Sequence, residues 1–334
     1  MTKAQLASTH AQEEALRRPE VVATLIEELR GRGVKRAIVV GVPAVMEEPF
    51  LKAPLVHAGI MVLTPPAPQR AWLAQLIEDL AQGEVSAQTK ATFAALIEDG
   101  AEHGVDCLVV ASVELMALVL ECNFGLTVVD ALRAGAERVR NVVFDMGGVL
   151  LKWDPLGMTR AASETEEDAQ LLASAVYGSV EWALQDAGAV DADTVAWASK
   201  RRVPARLHDI VDALVHHWWE KREYFGQTGD LIRELKDRGF GVYLLSNAGV
   251  AFSEYKHQLP AYECFDGMVV SCFEHVVKPD ARIYQILCER YGLEPSSCLF
   301  IDDMPVNGDG ARRVGMRAWR FDGTVELLRY HLLG

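Results

Sequence analysis

The stretch Asn141-Val142-Val143-Phe144-Asp145-Met146-Gly147-Gly148 constrains this chain more than any other. Val142 to Phe144 form a short apolar run of β type, the pattern of a strand buried on both faces of a parallel sheet. The strand hands an aspartate to its carboxyl end, and the two glycines let the backbone turn sharply there. Reactive groups in open α/β sheets collect outside the carboxyl ends of the strands. Asp145 is thus placed to act if later strands bring partners to the same edge.

The second half of the chain supplies them. A helix expected over Asp230 to Arg238 leads into a strand, Gly241 to Leu245, that ends in Ser246-Asn247. Lys278-Pro279-Asp280 precedes a helix expected over Ile283 to Tyr291, and the strand Cys298 to Ile301 ends in Asp302-Asp303. Three strand ends and one helix start put Asp145, Ser246, Lys278 and Asp302 at one sheet edge. The set suits phosphoryl transfer. A carboxylate can attack phosphorus, while a hydroxyl, backbone N–H groups and a lysine hold the phosphate oxygens. Two further carboxylates can hold Mg²⁺, which prefers oxygen ligands.

In type and order these motifs resemble those of the haloacid dehalogenase-like hydrolase superfamily, phosphatase branch, over residues 140–334. The extended last motif, Phe300-Ile301-Asp302-Asp303-Met304-Pro305-Val306-Asn307-Gly308-Asp309, is part of the match. The resemblance implies a Rossmann-like parallel sheet with an inserted helical cap over about 155–226. It makes Asp145 the nucleophile and a Mg²⁺ ligand, with the Gly147 carbonyl and Asp302 completing the protein ligands. Gly147, Gly148, Ser246, Asn247 and Lys278 would contact the phosphate, Lys278 with a catalytic part. Asp303 and Asn307 would support Lys278 and the surroundings of the metal. The implied activity is hydrolysis of a small phosphorylated metabolite, such as a sugar phosphate, through an aspartyl-phosphate. Alternatives are a non-catalytic phosphate-ligand binder and a 2-haloacid dehalogenase. The Asp302-Asp303 pair speaks against the latter.

One departure matters. Most phosphatases of this superfamily carry a second aspartate, a general acid and base, where this chain has Gly147. Losing such a group typically costs about 10²–10⁴-fold in rate. The chain would then favour a leaving group of lowered pKa, such as an anomeric or acyl phosphate, or borrow an acid from the cap. In that cap the run His216-His217-Trp218-Trp219 reads as packing, as does Trp182, while Trp153 closely follows the first motif. His275 reads as structural.

Ahead of these motifs lies a separate, smaller α/β domain, residues 1–139. A helix containing Val22, Leu25, Ile26 and Leu29 ends at Gly31 and Gly33. Strands Ala37 to Val40, Gly59 to Leu63, Asp106 to Val110 and Leu126 to Val129 follow, with helices between them and a last helix over Asp130 to Val139. Gly41-Val42-Pro43, Gly104 to Leu115 and Val128-Val129-Asp130 resemble the second lobe of aspartate/glutamate racemases. That family places a catalytic thiol where this chain has Ser112 of Ser112-Val113-Glu114-Leu115. A hydroxyl is a far poorer base than a thiolate, so racemase activity is not expected. Packing, ligand sensing or homodimerisation is the role assigned to this domain.

A formal net charge of −14 over 334 residues argues against nucleic acid or acidic membranes as partners. The six cysteines show no metal-type spacing, the first twenty residues lack the pattern of a signal peptide, and no apolar run reaches membrane-span length. The expectation is a cytoplasmic, reduced protein.

Overall fold

The computed structural model describes residues 3–82, 86–120, 122, 124–220 and 222–334. The chain forms two compact units, residues 1–137 with 326–334, and residues 138–325. Among the described residues no helix is long and apolar enough to cross a membrane.

The first unit holds a parallel sheet of β1 (Arg36–Gly41), β2 (Met61–Leu63), β3 (Cys107–Ala111) and β4 (Thr127–Asp130), in the order β2-β1-β3-β4. β1 and β3 are buried almost throughout, which explains their unbroken apolar sequences. Ile38, Val40, Leu108 and Val110 pack against Leu73, Ile77, Phe93 and Ile97 from the helices Ala67–Leu80 and Ala87–Glu102. The helix expected over Asp130 to Val139 does not form. Asp130 accepts the Leu132 N–H on its side chain, Gly135 takes a left-handed φ of 75°, and only a short 3-10 turn, Ala136–Arg138, remains. Asp130 also accepts a hydrogen bond from Tyr330 in the last helix, Val325–Leu333, and Leu132 accepts one from His331. Residues 326–334, expected with the hydrolase-like domain, therefore belong to the first unit.

The second unit is built on five parallel strands in the order β7-β6-β5-β8-β9. These are β5 (Asn141–Phe144), β6 (Gly241–Ser246), β7 (Gly267–Val270), β8 (Cys298–Asp302) and β9 (Arg317–Arg320). Phe144 is in register with Leu244 on one side and Ile301 on the other, so β5, β6 and β8 end together. Val143, Leu245 and Phe300 meet Ile283, Tyr284 and Leu287 of the helix Ala281–Tyr291 in a buried layer beneath that edge.

The cap leaves and rejoins the sheet domain where Leu151 bridges Tyr224. Its helices are Pro155–Ala162, Glu166–Ala175, Val180–Asp186, Ala192–Lys200 and His208–His216. Asp154, Thr165, Ser179 and Asp191 each accept a backbone N–H at the start of one of the first four, satisfying donors that a helix cannot pair internally. Leu172, Val176, Trp182, Val195, Leu207 and Val211 fill the cap's own core. The last cap helix ends at His216, where His217 leaves helical geometry at φ −132°. That break turns Trp218 toward the sheet edge.

Candidate active site

Asp145 follows β5 and extends the ladder by one bond, donating its N–H to Ile301 O at 2.9 Å. Its carboxylate Oδ1 lies 2.7 Å from Lys278 Nζ, which also donates to Asp302 Oδ2 at 2.7 Å. All three side chains are buried. Asn247 fixes the lysine from the neighbouring strand end: its Oδ1 accepts the Lys278 N–H at 2.8 Å, and its Nδ2 donates to Lys278 O at 3.1 Å. Asp302 is held in turn by Asn307, whose Nδ2 donates to both carboxylate oxygens at 3.0 Å, and by the Met304 N–H at 2.8 Å. Tyr284 secures Asn307 by donating to its carbonyl at 2.7 Å.

Oxygens of Asp145, Asp302 and Asp303 lie within 4.8 Å of one another. Gly148 permits this. Its φ is +74°, and a Cβ there would fall 2.5 Å from Asp303 Oδ2, so any side chain would displace that carboxylate. Three carboxylates against one ammonium leave a surplus of negative charge in a poorly solvated place. Burial pushes the Asp145 carboxyl up, with Lys278 opposing and Asp302 reinforcing the rise. Burial and then Asp302 raise Asp303 likewise. Burial alone would lower Lys278, but Asp145 and Asp302 outweigh it and raise it.

The cluster fits a hard divalent cation. Asp145 Oδ1 is buried and, despite its ion pair with Lys278, accepts no well-directed hydrogen bond. An all-oxygen set with uncompensated charge is what Mg²⁺ takes. Asp303, expected only to support the metal's surroundings, stands close enough to be a ligand itself.

A cavity of about 310 Å³ opens from this cluster toward the cap. Asp145, Gly147, Asn247, Lys278, Asp303 and Asn307 line its floor. Ser246, placed on the phosphate by its motif, ends β6 as expected but is buried, and its hydroxyl donates to Asn247 O, at 3.4 Å. The cap contributes an aromatic wall. Trp153 lies 5.3 Å from Trp218, 5.5 Å from Tyr177 and 6.0 Å from Trp182, ring centre to ring centre. Arg222 stacks 3.7 Å over Trp218, and burial there lowers its guanidinium to about 10. Trp182 and Trp218, read as packing from sequence, thus also face the cavity; Trp219 stacks on Tyr255. Tyr177 and Asp186 line it too and carry no signal in the linear sequence.

In the first unit Ser112 is a helix cap. Its Oγ accepts the Leu115 N–H and donates to Glu114, which Gln12 also engages. The serine that the sequence resemblance set at a thiol position therefore serves as a helix cap.

A parallel α/β sheet, a buried carboxylate after its central strand and an inserted helical cap define a capped hydrolase of the Rossmann-like kind. The family profile of haloacid dehalogenase-like hydrolases matches residues 139–315, over half of the chain, and the protein belongs to that family. Similar proteins include the sesquiterpene phosphatase astK of Aspergillus oryzae, 25% identical over 52% of this chain and 85% of that protein. A phosphatase of Mycobacterium tuberculosis is 34% identical over 27% of this chain and 43% of its own length. A solved HAD family enzyme of Bacteroides thetaiotaomicron, described as a magnesium complex, aligns at TM-score 0.44 and 18% identity, covering 57% of this chain and 98% of that one.

Proposed function

We propose that this protein is a Mg²⁺-dependent phosphatase that hydrolyses a phosphomonoester through an aspartyl-phosphate on Asp145. The observation that carries the reading is the buried Asp145–Lys278–Asp302 triad at the floor of a capped cavity, with Asp303 beside it. Asp145, Asp302, the Gly147 carbonyl and Asp303 are the groups available to hold Mg²⁺, which supplies charge neutralisation at the phosphoryl oxygens. The free Asp145 oxygen attacks phosphorus. Lys278, already clamped by Asn247, neutralises the charge spreading over the phosphoryl group without having to reorganise. The names of the Aspergillus and Mycobacterium relatives support a phosphatase over a dehalogenase, as does the paired Asp302-Asp303.

The aromatic wall favours an apolar organic part over a polyol. Trp153, Tyr177, Trp182 and Trp218 offer ring faces and few free polar groups, since the Tyr177 hydroxyl donates to Leu214 O. The sesquiterpene named for the Aspergillus relative is a ligand of that apolar kind.

The test is phosphate release with and without Mg²⁺ from farnesyl phosphate, 2-phenylethyl phosphate and glucose 1-phosphate, beside Asp145→Asn. The expected result is release that requires Mg²⁺, falls at least about 10³-fold in the variant, and favours the two apolar esters. Release indifferent to Mg²⁺ and to Asp145 would sink the phosphatase reading; preference for glucose 1-phosphate would sink only the apolar assignment.

A further inference from the structure

We infer that Asp186, delivered by the cap, is the general acid and base of this site, in place of the aspartate that Gly147 lacks. The inference rests on the phosphatase reading above. Gly147 offers no proton: it has no side chain, and a Cβ built there would make only ordinary contact with Trp153, 3.5 Å from its Cβ. Asp186 instead enters the same cavity from the cap side, across from Asp145, Lys278 and Asn247.

Its backbone position is fixed. Asp186 is the last residue of the helix Val180–Asp186, and its carbonyl accepts a hydrogen bond from Ser271 Oγ at 2.5 Å. Ser271 is fully buried at the end of β7, and its Oγ also accepts the Ala248 N–H at 3.0 Å. One hydroxyl thus ties the end of the cap helix to the loop that carries Asn247. Two glycines allow the close approach. A Cβ at Gly188 would lie 2.2 Å from Cys272 O and 2.9 Å from His275 Nδ1, and one at Gly249 2.7 Å from Gln185 Nε2. His275, read from sequence as structural, belongs to this docking surface. The Asp186 carboxyl itself makes no hydrogen bond or ion pair among the described residues, so it is available to a ligand.

The surroundings favour its protonated form. Burial raises the Asp186 carboxyl to about 7, with Lys278 opposing and Asp145 reinforcing. The other titratable groups facing it are Tyr255 and Cys272, both neutral near pH 7 and both pushed further up by burial. A carboxyl tuned near the working pH is what an acid–base catalyst needs.

The step balances. As Asp145 bonds to phosphorus, the ester P–O bond breaks and the leaving oxygen takes the Asp186 proton, releasing a neutral alcohol. Asp186, now a carboxylate, removes a proton from the water that attacks the aspartyl-phosphate. Cleavage of the P–O bond to Asp145 then frees phosphate and regenerates both side chains.

The experiment compares Asp186→Asn with wild type on 2-phenylethyl phosphate, whose alkoxide must be protonated to leave, and 4-nitrophenyl phosphate, whose phenolate need not be. For the alkyl ester kcat should fall by about 10²–10⁴-fold and lose the decline above neutral pH expected of wild type. For the aryl ester the first, phosphate-forming turnover should fall less than about tenfold. Equal losses on both esters in that first turnover, or no loss on the alkyl ester, would overturn the role of Asp186 while leaving the phosphatase reading standing. Absence of Mg²⁺- and Asp145-dependent release from wild type on both esters would overturn both. Should the Asn variant not fold, wild type still decides: a rate falling steeply with leaving-group basicity across aryl and alkyl phosphates excludes proton donation.

Discussion

Lys278 shows how one side chain organises this site. Its ammonium bridges Asp145 and Asp302 at 2.7 Å each, lies 5.3 Å from the Phe300 ring, and is sealed from solvent. Replacing it by methionine keeps the volume and strands two buried carboxylates. Removing one partner of a buried ionic cluster typically costs about 3–5 kcal/mol. Lys278→Met should therefore lower stability by about 3 kcal/mol at pH 8, measured by urea unfolding without metal. The loss should shrink at pH 5, where the Asp145 carboxyl, already raised by burial, takes up a proton, and should shrink on adding Mg²⁺, which replaces the missing positive charge. A loss independent of pH and Mg²⁺ would mean that the lysine acts by packing alone. Lys278, Asp145 and Asp302 were legible in the chain because each follows or precedes a local signal, a buried apolar strand or a Lys-Pro pair before a helix. The chain also offered Asp303 as a second carboxylate; that its oxygen comes within 4.8 Å of those of Asp145 and Asp302 depends further on Gly148 leaving room for it.

The short cap helix Val180–Asp186 brings two side chains to the cavity, Trp182 in the aromatic wall and Asp186 at its end. A helix of this length is marginal by itself, so its start matters. Ser179 accepts the Trp182 N–H at 3.1 Å. Ser179→Ala should cost about 1 kcal/mol of stability, read from urea unfolding, and should weaken turnover of alkyl esters more than of 4-nitrophenyl phosphate, because it loosens the helix that delivers Asp186. Unchanged ester selectivity would detach the helix start from the chemistry. The cap was recognisable as a helical insert over about 155–226. Which of its aromatics face the cavity was not: the stop at His216 that swings Trp218 inward follows from tertiary packing and the Arg222 stack, not from helix periodicity.

The last helix gives a test for the molecule as a whole. Residues 326–334 supply buried Leu327, Leu328 and Leu332 to the first unit, and Tyr330 is the partner of a carboxyl, Asp130, that burial has raised. Each such leucine contributes about 1.5–3 kcal/mol when fully buried. Deleting these residues should sharply raise amide exchange in β3 and β4, while Mg²⁺-dependent phosphate release from residues 138–325 persists. Protection of β3 and β4 left intact would contradict the assignment of the helix to the first unit. From sequence the chain end reads as the close of the second domain, because a terminal amphipathic helix does not reveal which sheet it covers. The strands β1 to β6 and β8, the parallel α/β class, the sheet edge bearing Asp145, Lys278 and Asp302, and the family itself were determined by sequence alone, since each depends on residues adjacent in the chain, read through strand and turn patterns, whereas β7 and β9 carried no such reading. The aromatic wall, the approach of Asp303, the position of Asp186 and the destination of the last helix were decided only by tertiary structure, since they depend on which faces pack across long separations in the chain.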